Sequence, residues 1–417
     1  MKRNRILILF ASLTAALTLC AQQGDVLVIK AARVVPISQA DIEGGMVLIE
    51  NGKIKQVGKA IPVPAGATVI SVENGWVLPG LVQPHSSLGM REESRPAAID
   101  ELSAPTTAAL MIVDGINPFD KSLKQAAQAG ITAALVTSGR GNVIAGQPAV
   151  VKTTGKTVNE MIVLSPAGVK FSLGEGPKAA FGGKGRLPST RMGSAFVVRK
   201  ALLDAGEYLR KQKDYEAKKA KSEVVQPPKR DLELEPLASL LERKLTAFFE
   251  CYRVDDIMTA LRLIDEFKLK AVLIGGTEGF RVAGEIARCG IPVIVGPMGI
   301  GPKRVETEEV TLENAAILAK AGVKVAIQGE GSMGIGAPEE LPLAAALAVK
   351  GGLGRAEALR AITLTAAEVI GVADRIGSLD PGKDADIVIF DGDPLHYRTR
   401  VVRVLIDGKT VFGDGPR

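Results

Sequence analysis

The feature that most constrains the fold is a repeated alternation of short apolar strands with helical segments through the middle of the chain. Apolar runs at 133–137, 272–275, 292–296 and 323–327 are separated by stretches with helical character. Parallel strands need such crossover helices, so the pattern predicts an α/β fold built on a parallel sheet. Residues 81–370 are enough for a (β/α)8 TIM barrel, which takes roughly 250 residues.

Both ends of the chain show short apolar runs separated by turn residues instead. The predicted strands lie at 25–29, 45–49 and 68–72 near the beginning, and at 385–390, 401–406 and 410–412 near the end. Asn51-Gly52 is a hairpin signal, since both residues tolerate positive φ. We therefore expect residues 22–80 and 371–417 to form one small composite β-sandwich beside the barrel.

A charged stretch interrupts the alternation at about 199–235. It is rich in lysine, glutamate and arginine, and it contains Pro227-Pro228. This composition predicts an exposed helix and linker inserted between barrel elements, with a solvated face rather than a binding patch. The formal net charge is +6 with only 4% aromatic residues, which argues against a nucleic-acid partner.

The first 21 residues have the pattern of a secretory signal. Lys2, Arg3 and Arg5 precede an apolar run at 6–19, and small Ala21 follows it. The run is shorter than the roughly 18–20 residues needed to span a bilayer, so no stable membrane span is expected. We expect an exported protein, periplasmic or secreted. Lipoprotein anchoring through Cys20 is less favoured, because lipoprotein processing usually requires a smaller residue than Leu19 before the cysteine.

Two cysteines lie beyond this signal, Cys251 and Cys289. They could pair in an oxidising compartment, or they could be small buried residues, and the second interpretation is favoured. Their spacing forms no Cys-x-x-Cys metal motif.

Histidine is scarce. The chain contains two histidines, and one of them, His85, lies in a segment that reads Pro79-Gly80-Leu81-Val82-Gln83-Pro84-His85-Ser86-Ser87. The segment resembles the strand that opens the barrel in the amidohydrolase superfamily, where a Pro-Gly-Leu-(Ile/Val)-Asp-x-His-x-His stretch supplies two metal-binding histidines. Ser87 stands at the second histidine position.

A second resemblance lies near the C-terminus. Residues 358–386 and 404–409 resemble the passage in which the last barrel helix of the superfamily returns the chain to the sandwich. The imidazolonepropionase-like amidohydrolases are the most similar branch. This resemblance implies metal-assisted hydrolysis of an amide or cyclic amide C–N bond. One or two divalent metals, zinc in the family, sit at the C-terminal mouth of the barrel, where they acidify a bound water.

The resemblance also implies where the other metal ligands would lie. Glu250 and Tyr252 occupy the His-x-His positions before residues 253–256, and Gly275 replaces the histidine of a His-Gly-Thr-Glu stretch. Glu330 stands where the family places an aspartate that serves as ligand and proton shuttle, so Glu330 is the candidate catalytic residue.

The middle strand of the family supplies a lysine or glutamate ligand. Lys170 and Glu175 are candidates for that position here, and Lys152 is a weaker one. The candidate metal ligands are His85, Glu250, Glu330 and Glu175. The residues expected at the mouth are Lys170, Tyr252, Arg253 and Ser87.

Two interpretations of these substitutions stay open. In the first, the carboxylates and His85 hold one divalent metal, Mn²⁺ or Mg²⁺ rather than Zn²⁺, because oxygen ligands prefer such ions. In the second, no metal binds, and it is favoured because a histidine without its partners is more often a hydrogen-bonded remnant.

The favoured hypothesis is therefore a catalytically impaired amidohydrolase. Such a protein would bind a small ligand, or act as an inert subunit in a homo-oligomer or beside an active paralogue. The alternative is an active hydrolase on dipeptide or other C–N bonds, with a rebuilt carboxylate-rich mononuclear site.

Overall fold

The computed structural model describes residues 26–90, 99–222, 224–298, 304–329 and 340–413. The expected signal at residues 1–21 lies outside these ranges. Within them, no helix is both long and apolar enough to cross a membrane.

Strands and helices account for most of the described chain. The strands are β1 (Val26–Val34), β2 (Ile42–Glu43), β3 (Met46–Glu50), β4 (Lys53–Gly58), β5 (Thr68–Pro79), β6 (Leu81–Ser86), β7 (Ile131–Val136), β8 (Ala149–Lys152), β9 (Ile162–Leu164), β10 (Gly168–Ser172), β11 (Thr246–Cys251), β12 (Ala271–Gly275), β13 (Val293–Val295), β14 (Val325–Ile327), β15 (Ile387–Phe390), β16 (Val401–Ile406) and β17 (Lys409–Phe412). The helices are α1 (Lys121–Gln128), α2 (Val158–Met161), α3 (Glu175–Phe181), α4 (Arg191–Ala220), α5 (Leu234–Leu241), α6 (Val254–Glu266), α7 (Ala283–Cys289), α8 (Asn314–Lys320), α9 (Glu340–Lys350), α10 (Arg355–Ala361) and α11 (Leu364–Ile370). Short 3-10 turns lie at Ile112–Asp114, Gly182–Lys184, Gly279–Val282 and Val305–Thr307.

Strands from both ends of the chain share one mixed sheet. Its order is β17-β16-β15-β5-β1-β3-β4, with β2 paired to β1. β5 runs parallel to β1 and antiparallel to β15, so the two ends are joined by a direct ladder between β5 and β15. The expected association of the two ends is confirmed. The described strands pair into a single sheet, and the two-sheet sandwich stays a prediction.

The predicted hairpin at Asn51-Gly52 is confirmed. Both residues have positive φ, 53° and 73°, and they connect β3 to β4. Asp407-Gly408 has the same signs of φ between β16 and β17. Two successive left-handed residues match the right-handed twist of the flanking strands, which explains the choice of Asn-Gly and Asp-Gly.

The middle of the chain forms two further sheets. β10 to β14 pair in chain order as a parallel five-stranded sheet, and β6 to β9 form a four-stranded one. The predicted strands at 133–137, 272–275, 292–296 and 323–327 correspond to β7, β12, β13 and β14.

The second of these sheets departs from simple β/α alternation. β6 and β7 are parallel, but β8 returns antiparallel to β7, and β9 is antiparallel to β8. No helix lies between β7 and β8, and strands joined without a crossover helix pair antiparallel. The pairings among described residues therefore do not close one barrel.

The 199–235 stretch begins inside a longer helix. α4 spans 30 residues, and its buried side chains lie between Ser194 and Ala205, where it packs against its neighbours. Its last turns are charged and exposed, as expected for a solvated face.

A buried ion network lies where the middle of the chain contacts the terminal sheet. Lys152, at the end of β8, places its Nζ 2.8 Å from Asp384 Oδ2, 3.0 Å from Asp386 Oδ1 and 2.5 Å from Asp407 Oδ1. Burial raises the pKa of Asp386 to about 6, despite the nearby Lys152 charge. Lys152 is thus committed to this network, and its weaker candidacy as a ligand at the mouth is wrong.

Replacing Lys152 with methionine should destabilise the fold strongly. The change leaves buried Asp386 without its cation, although Asp384 keeps Lys53 and Arg375. Breaking a buried ion pair from one side costs about 3–5 kcal/mol. Chemical denaturation measures the free energy of unfolding. Lys268→Met is the matched control, because Lys268 pairs with Asp265 at an exposed site and should shift the midpoint little. Equal effects in the two variants would contradict a stabilising role for the Lys152 network.

Candidate functional site

Five side chains converge at the carboxyl ends of the middle strands. His85 is near the end of β6, Lys170 is on β10, Glu250 and Tyr252 are at and just beyond the end of β11, and Gln328 follows β14. We call these five residues the mouth cluster. Functional groups of β/α proteins collect at this end because the parallel strands bring their loops together there.

Lys170 is the most buried member of the cluster. Its side chain is 1% exposed, and its Nζ lies 2.7 Å from Glu250 Oε2. The same Nζ donates to the backbone oxygens of Ser138 at 2.7 Å and Gly139 at 2.8 Å. An ammonium group has three N–H donors. Two are used by these backbone oxygens, the third is within reach of the Thr137 hydroxyl at 3.4 Å, and Glu250 Oε2 is an ion-pair contact.

Glu250 has a partner on each carboxylate oxygen. Lys170 contacts Oε2, and the Tyr252 hydroxyl donates to Oε1 at 2.7 Å. Burial alone would raise the pKa of Glu250, but the Lys170 charge and the hydrogen bonds outweigh it and lower the pKa to about 2. Glu250 is therefore an ionised carboxylate at neutral pH, held on both sides.

His85 is neutral at physiological pH. Burial and the positive charge of Lys170 lower its pKa to about 4. Its Nδ1 lies 2.9 Å from Gln328 Oε1, and an amide oxygen only accepts, so Nδ1 carries the proton. The unprotonated Nε2 is 4.0 Å from Glu250 Oε2, beyond hydrogen-bond distance.

Tyr252 and Gly275 are sterically coupled. Gly275 has φ of +92°, and a Cβ built on it would lie 2.6 Å from Tyr252 Cε1 and 2.7 Å from Cδ1. The tyrosine ring thus fills the space that any side chain at position 275 would enter. Tyr252 and Gly275 stand at two of the positions where the resemblance implies histidines, and the Tyr252 ring excludes a ligand side chain at 275.

The structure places the remaining predicted residues around this cluster. The backbone N–H of Glu175, at the start of α3, donates to Glu306 Oε1 at 2.5 Å, and no described contact joins Glu175 to His85 or Glu250. Arg253 precedes α6, and its guanidinium lies 3.3 Å from Asp255 Oδ2 in the first turn of that helix. Ser87 is buried just after β6. Glu330 lies outside the described residues.

Sequence reasoning missed two groups at this end of the strands. Gln328 orients His85, and its only sequence signal was its place in the apolar run before Glu330. Glu306 is buried 3.5 Å from Arg140, and burial raises its pKa to about 7. Nothing in the local sequence marks Glu306, because its partners come from distant loops.

A metal centre of the family type needs several side-chain ligands within reach of one point. Within the described ranges, no group of three or more His, Cys, Asp or Glu side chains could hold a metal ion. His85 and Glu250 are the predicted ligands that do meet, and an ammonium group already contacts Glu250. Cys251 and Cys289 are free thiols, so they form no disulfide. The described residues therefore do not fit the family's metal centre.

Comparisons with known proteins agree with this architecture. An amidohydrolase from Thermotoga maritima MSB8 has a solved structure that superposes with a TM-score of 0.87 at 34% identity, covering 93% of this chain and 100% of that one. The chain belongs to the amidohydrolase superfamily. A model of the amidohydrolase family matches residues 281–411. The structural likeness implies a TIM-barrel-type fold, and members of the superfamily are typically metal-dependent.

Two curated relatives overlap the chain only in part of their own length. The amidohydrolase tasK of Hapsidospora irregularis is 26% identical over 402 residues, which is 89% of this chain but 40% of tasK. The imidazolonepropionase of Geobacillus kaustophilus is 38% identical over 109 residues, 24% of this chain and 26% of that enzyme.

In this amidohydrolase-superfamily protein, His85 should stay neutral down to about pH 5 and protonate near pH 4. A histidine in the unfolded chain protonates near 6.5, so His85 contributes stability that is complete above pH 6.5 and is lost as the pH falls toward 4. Proton–carbon NMR of the ring measures this titration. The chain has two histidines, so His396→Gln assigns the signals. A His85 signal that titrates near 6.5 would contradict the buried geometry.

Gly275→Ala should destabilise the protein by about 2–4 kcal/mol, from overpacking against Tyr252 and from the left-handed backbone. Gly284→Ala is the control: Gly284 lies in α7 with no atom within 4 Å of the added Cβ, so alanine there should be neutral or slightly stabilising. Denaturant unfolding measures both variants.

The steric origin of this effect is tested with a double-mutant cycle. In a Tyr252→Ala background the ring is gone, so Gly275→Ala should be milder by about 1 kcal/mol or more. Strictly additive effects would show that the ring and position 275 do not share the same space.

Proposed function

We propose that this protein keeps the amidohydrolase frame but does not carry out the superfamily's metal-assisted hydrolysis of C–N bonds. Instead, its mouth end binds a small molecule, or the chain serves as an inert subunit in a homo-oligomer or beside an active paralogue. The ends of the strands in β/α proteins are the usual place for such a ligand site.

The contacts of Glu250 carry this proposal. Glu250 is the carboxylate beside His85, and its two oxygens are bound by Lys170 and Tyr252. A divalent cation would have to displace the Lys170 ammonium or lie next to it. Like charges at that distance in a buried site repel strongly, which favours a metal-free mouth cluster.

His85 on its own does not replace the missing ligands. Its protonated Nδ1 is used by Gln328, and its free Nε2 is left as a single nitrogen ligand. Ser87 and Gly275 stand at two family histidine positions, and the Tyr252 ring fills the space at the second. The cluster would therefore lack the set of ligands that holds the metal in zinc hydrolases, where the metal ion lowers the pKa of the nucleophilic water.

The second candidate function is an active hydrolase with one Mn²⁺ or Mg²⁺ ion held by His85, Glu250 and Glu330. The identity and burial of Glu250 favour it, because an ionised carboxylate within 4.0 Å of a histidine is a pair of ligands common in metal sites. It requires Lys170 to leave Glu250.

Metal content of the full chain distinguishes the two. We expect less than about 0.1 equivalents of Mn, Fe, Zn or Mg by elemental analysis after loading and desalting, with no difference between wild type and His85→Ala or Glu330→Ala. His396→Ala controls for surface binding, since His396 lies in the loop between β15 and β16, where it lines a different pocket with Gln128 and Tyr397. One equivalent of metal in wild type that is lost in both mouth variants, but kept in His396→Ala, would overturn the metal-free proposal.

Two further proposals follow from the sequence. We propose export directed by residues 1–21, and a small-molecule ligand rather than a nucleic acid. Hydrolysis assays on dipeptide, hydantoin-type and imidazolone-type amides should give no turnover with the purified protein. The same compounds can be screened as ligands by thermal shift.

A further inference from the structure

Lys170 lies inside a set of oxygen atoms that resembles the surroundings of a bound cation. Glu250 Oε2, Ser138 O and Gly139 O are all within 2.8 Å of its Nζ, and Thr137 Oγ1 is at 3.4 Å. One carboxylate, two carbonyls and a hydroxyl are ligands that hard cations prefer. A nitrogen atom stands at their centre.

These oxygen atoms are held in position by contacts other than those with the Lys170 side chain. Ser138 and Gly139 belong to the loop after β7, Glu250 belongs to β11, and Lys170 reaches them from β10. The loop that carries the two carbonyls has hydrogen bonds of its own: Gly139 N–H donates to Ile99 O at 3.0 Å, and Ser138 Oγ donates to Ala145 O at 2.6 Å. The backbone therefore holds the carbonyls in place without relying on the Lys170 ammonium.

Charge balance requires a cation at this point. Glu250 is 4% exposed, and a buried carboxylate without a counter-charge is strongly unfavourable. The Tyr252 hydroxyl and the neutral His85 ring bring no positive charge to it, and Asp100 is a further carboxyl group close enough to interact with both Glu250 and Lys170. Among the described contacts of Glu250, Lys170 supplies the positive charge.

We propose that the Lys170 ammonium is a built-in replacement for the cation of this site, so that shortening Lys170 opens an oxygen-lined pocket that binds a small primary ammonium ion. This deepens the proposed function, on which it rests for a metal-free wild type. The side-chain atoms lost in Lys170→Ala, three carbons and one nitrogen, correspond to propylammonium. That ion should restore both the volume and the charge.

Chemical rescue of Lys170→Ala tests this directly. We expect a Tm well below wild type, and a saturable rise of at least about 3 °C on adding propylammonium chloride. Equal ionic strength of sodium chloride controls for screening, and 1-propanol controls for filling of the cavity without charge. Neither should reproduce the rise. No saturable difference between propylammonium and these two additives would overturn the proposal.

A double variant tests whether the rescue depends on the charge of Glu250. In Lys170→Ala/Glu250→Gln the carboxylate is neutral, so propylammonium should give no more stabilisation than 1-propanol. Retained rescue in the double variant would place the ammonium elsewhere and overturn the assignment.

If Lys170→Ala does not fold, a second variant still tests the proposal. Lys170→Met keeps most of the volume and removes the charge, so it should be less stable than Lys170→Met/Glu250→Gln, in which both charges are gone. If Lys170→Met is as stable as wild type, the ammonium is not a required counter-ion. Metal found in wild type would instead refute the proposed function, whereas a metal-free wild type without rescue refutes only the role of Lys170.

Discussion

The ion pair between Lys170 and Glu250 determines the chemistry of this site. Two buried charges lose their hydration, and the loss is offset only when the remaining donors and acceptors are satisfied. Here the ammonium donates to the backbone oxygens of Ser138 and Gly139, and the carboxylate accepts from Tyr252 on its second oxygen. The other members of the cluster adapt to this pair: burial together with the Lys170 charge lowers the pKa of His85 and keeps it neutral, and neutral His85 donates to Gln328.

The departures from the superfamily pattern depend on one another. A glycine at 275 makes room for the ring of Tyr252, and the ring in turn positions its hydroxyl on Glu250. Restoring a side chain at 275 would collide with that ring, and removing the ring would leave Glu250 short of a donor. A set of residues coupled in this way is hard to change one at a time, because each change would disturb the contacts of the others.

The parts of the fold that follow from short-range patterns were predictable. Apolar runs located β12, β13 and β14, and Asn51-Gly52 located a hairpin, because strand burial and positive φ leave local signatures. The antiparallel return of β8 had no such signature. Long-range contacts were equally hidden: Lys152 and Lys170 are both lysines on or near strands, and only the structure shows that one binds the terminal sheet and the other Glu250.

These two lysines also separate the contacts that hold the frame from the contacts of the site. Lys152 holds aspartates from the C-terminal segment, and so it fixes the contact between the terminal sheet and the middle strands that defines the superfamily frame. Lys170 acts only within the mouth cluster. Because the two networks share no residue, changes at Lys170 leave the contact made by Lys152 intact. The frame therefore imposes no requirement that the site retain a metal, and function has to be judged from the site itself.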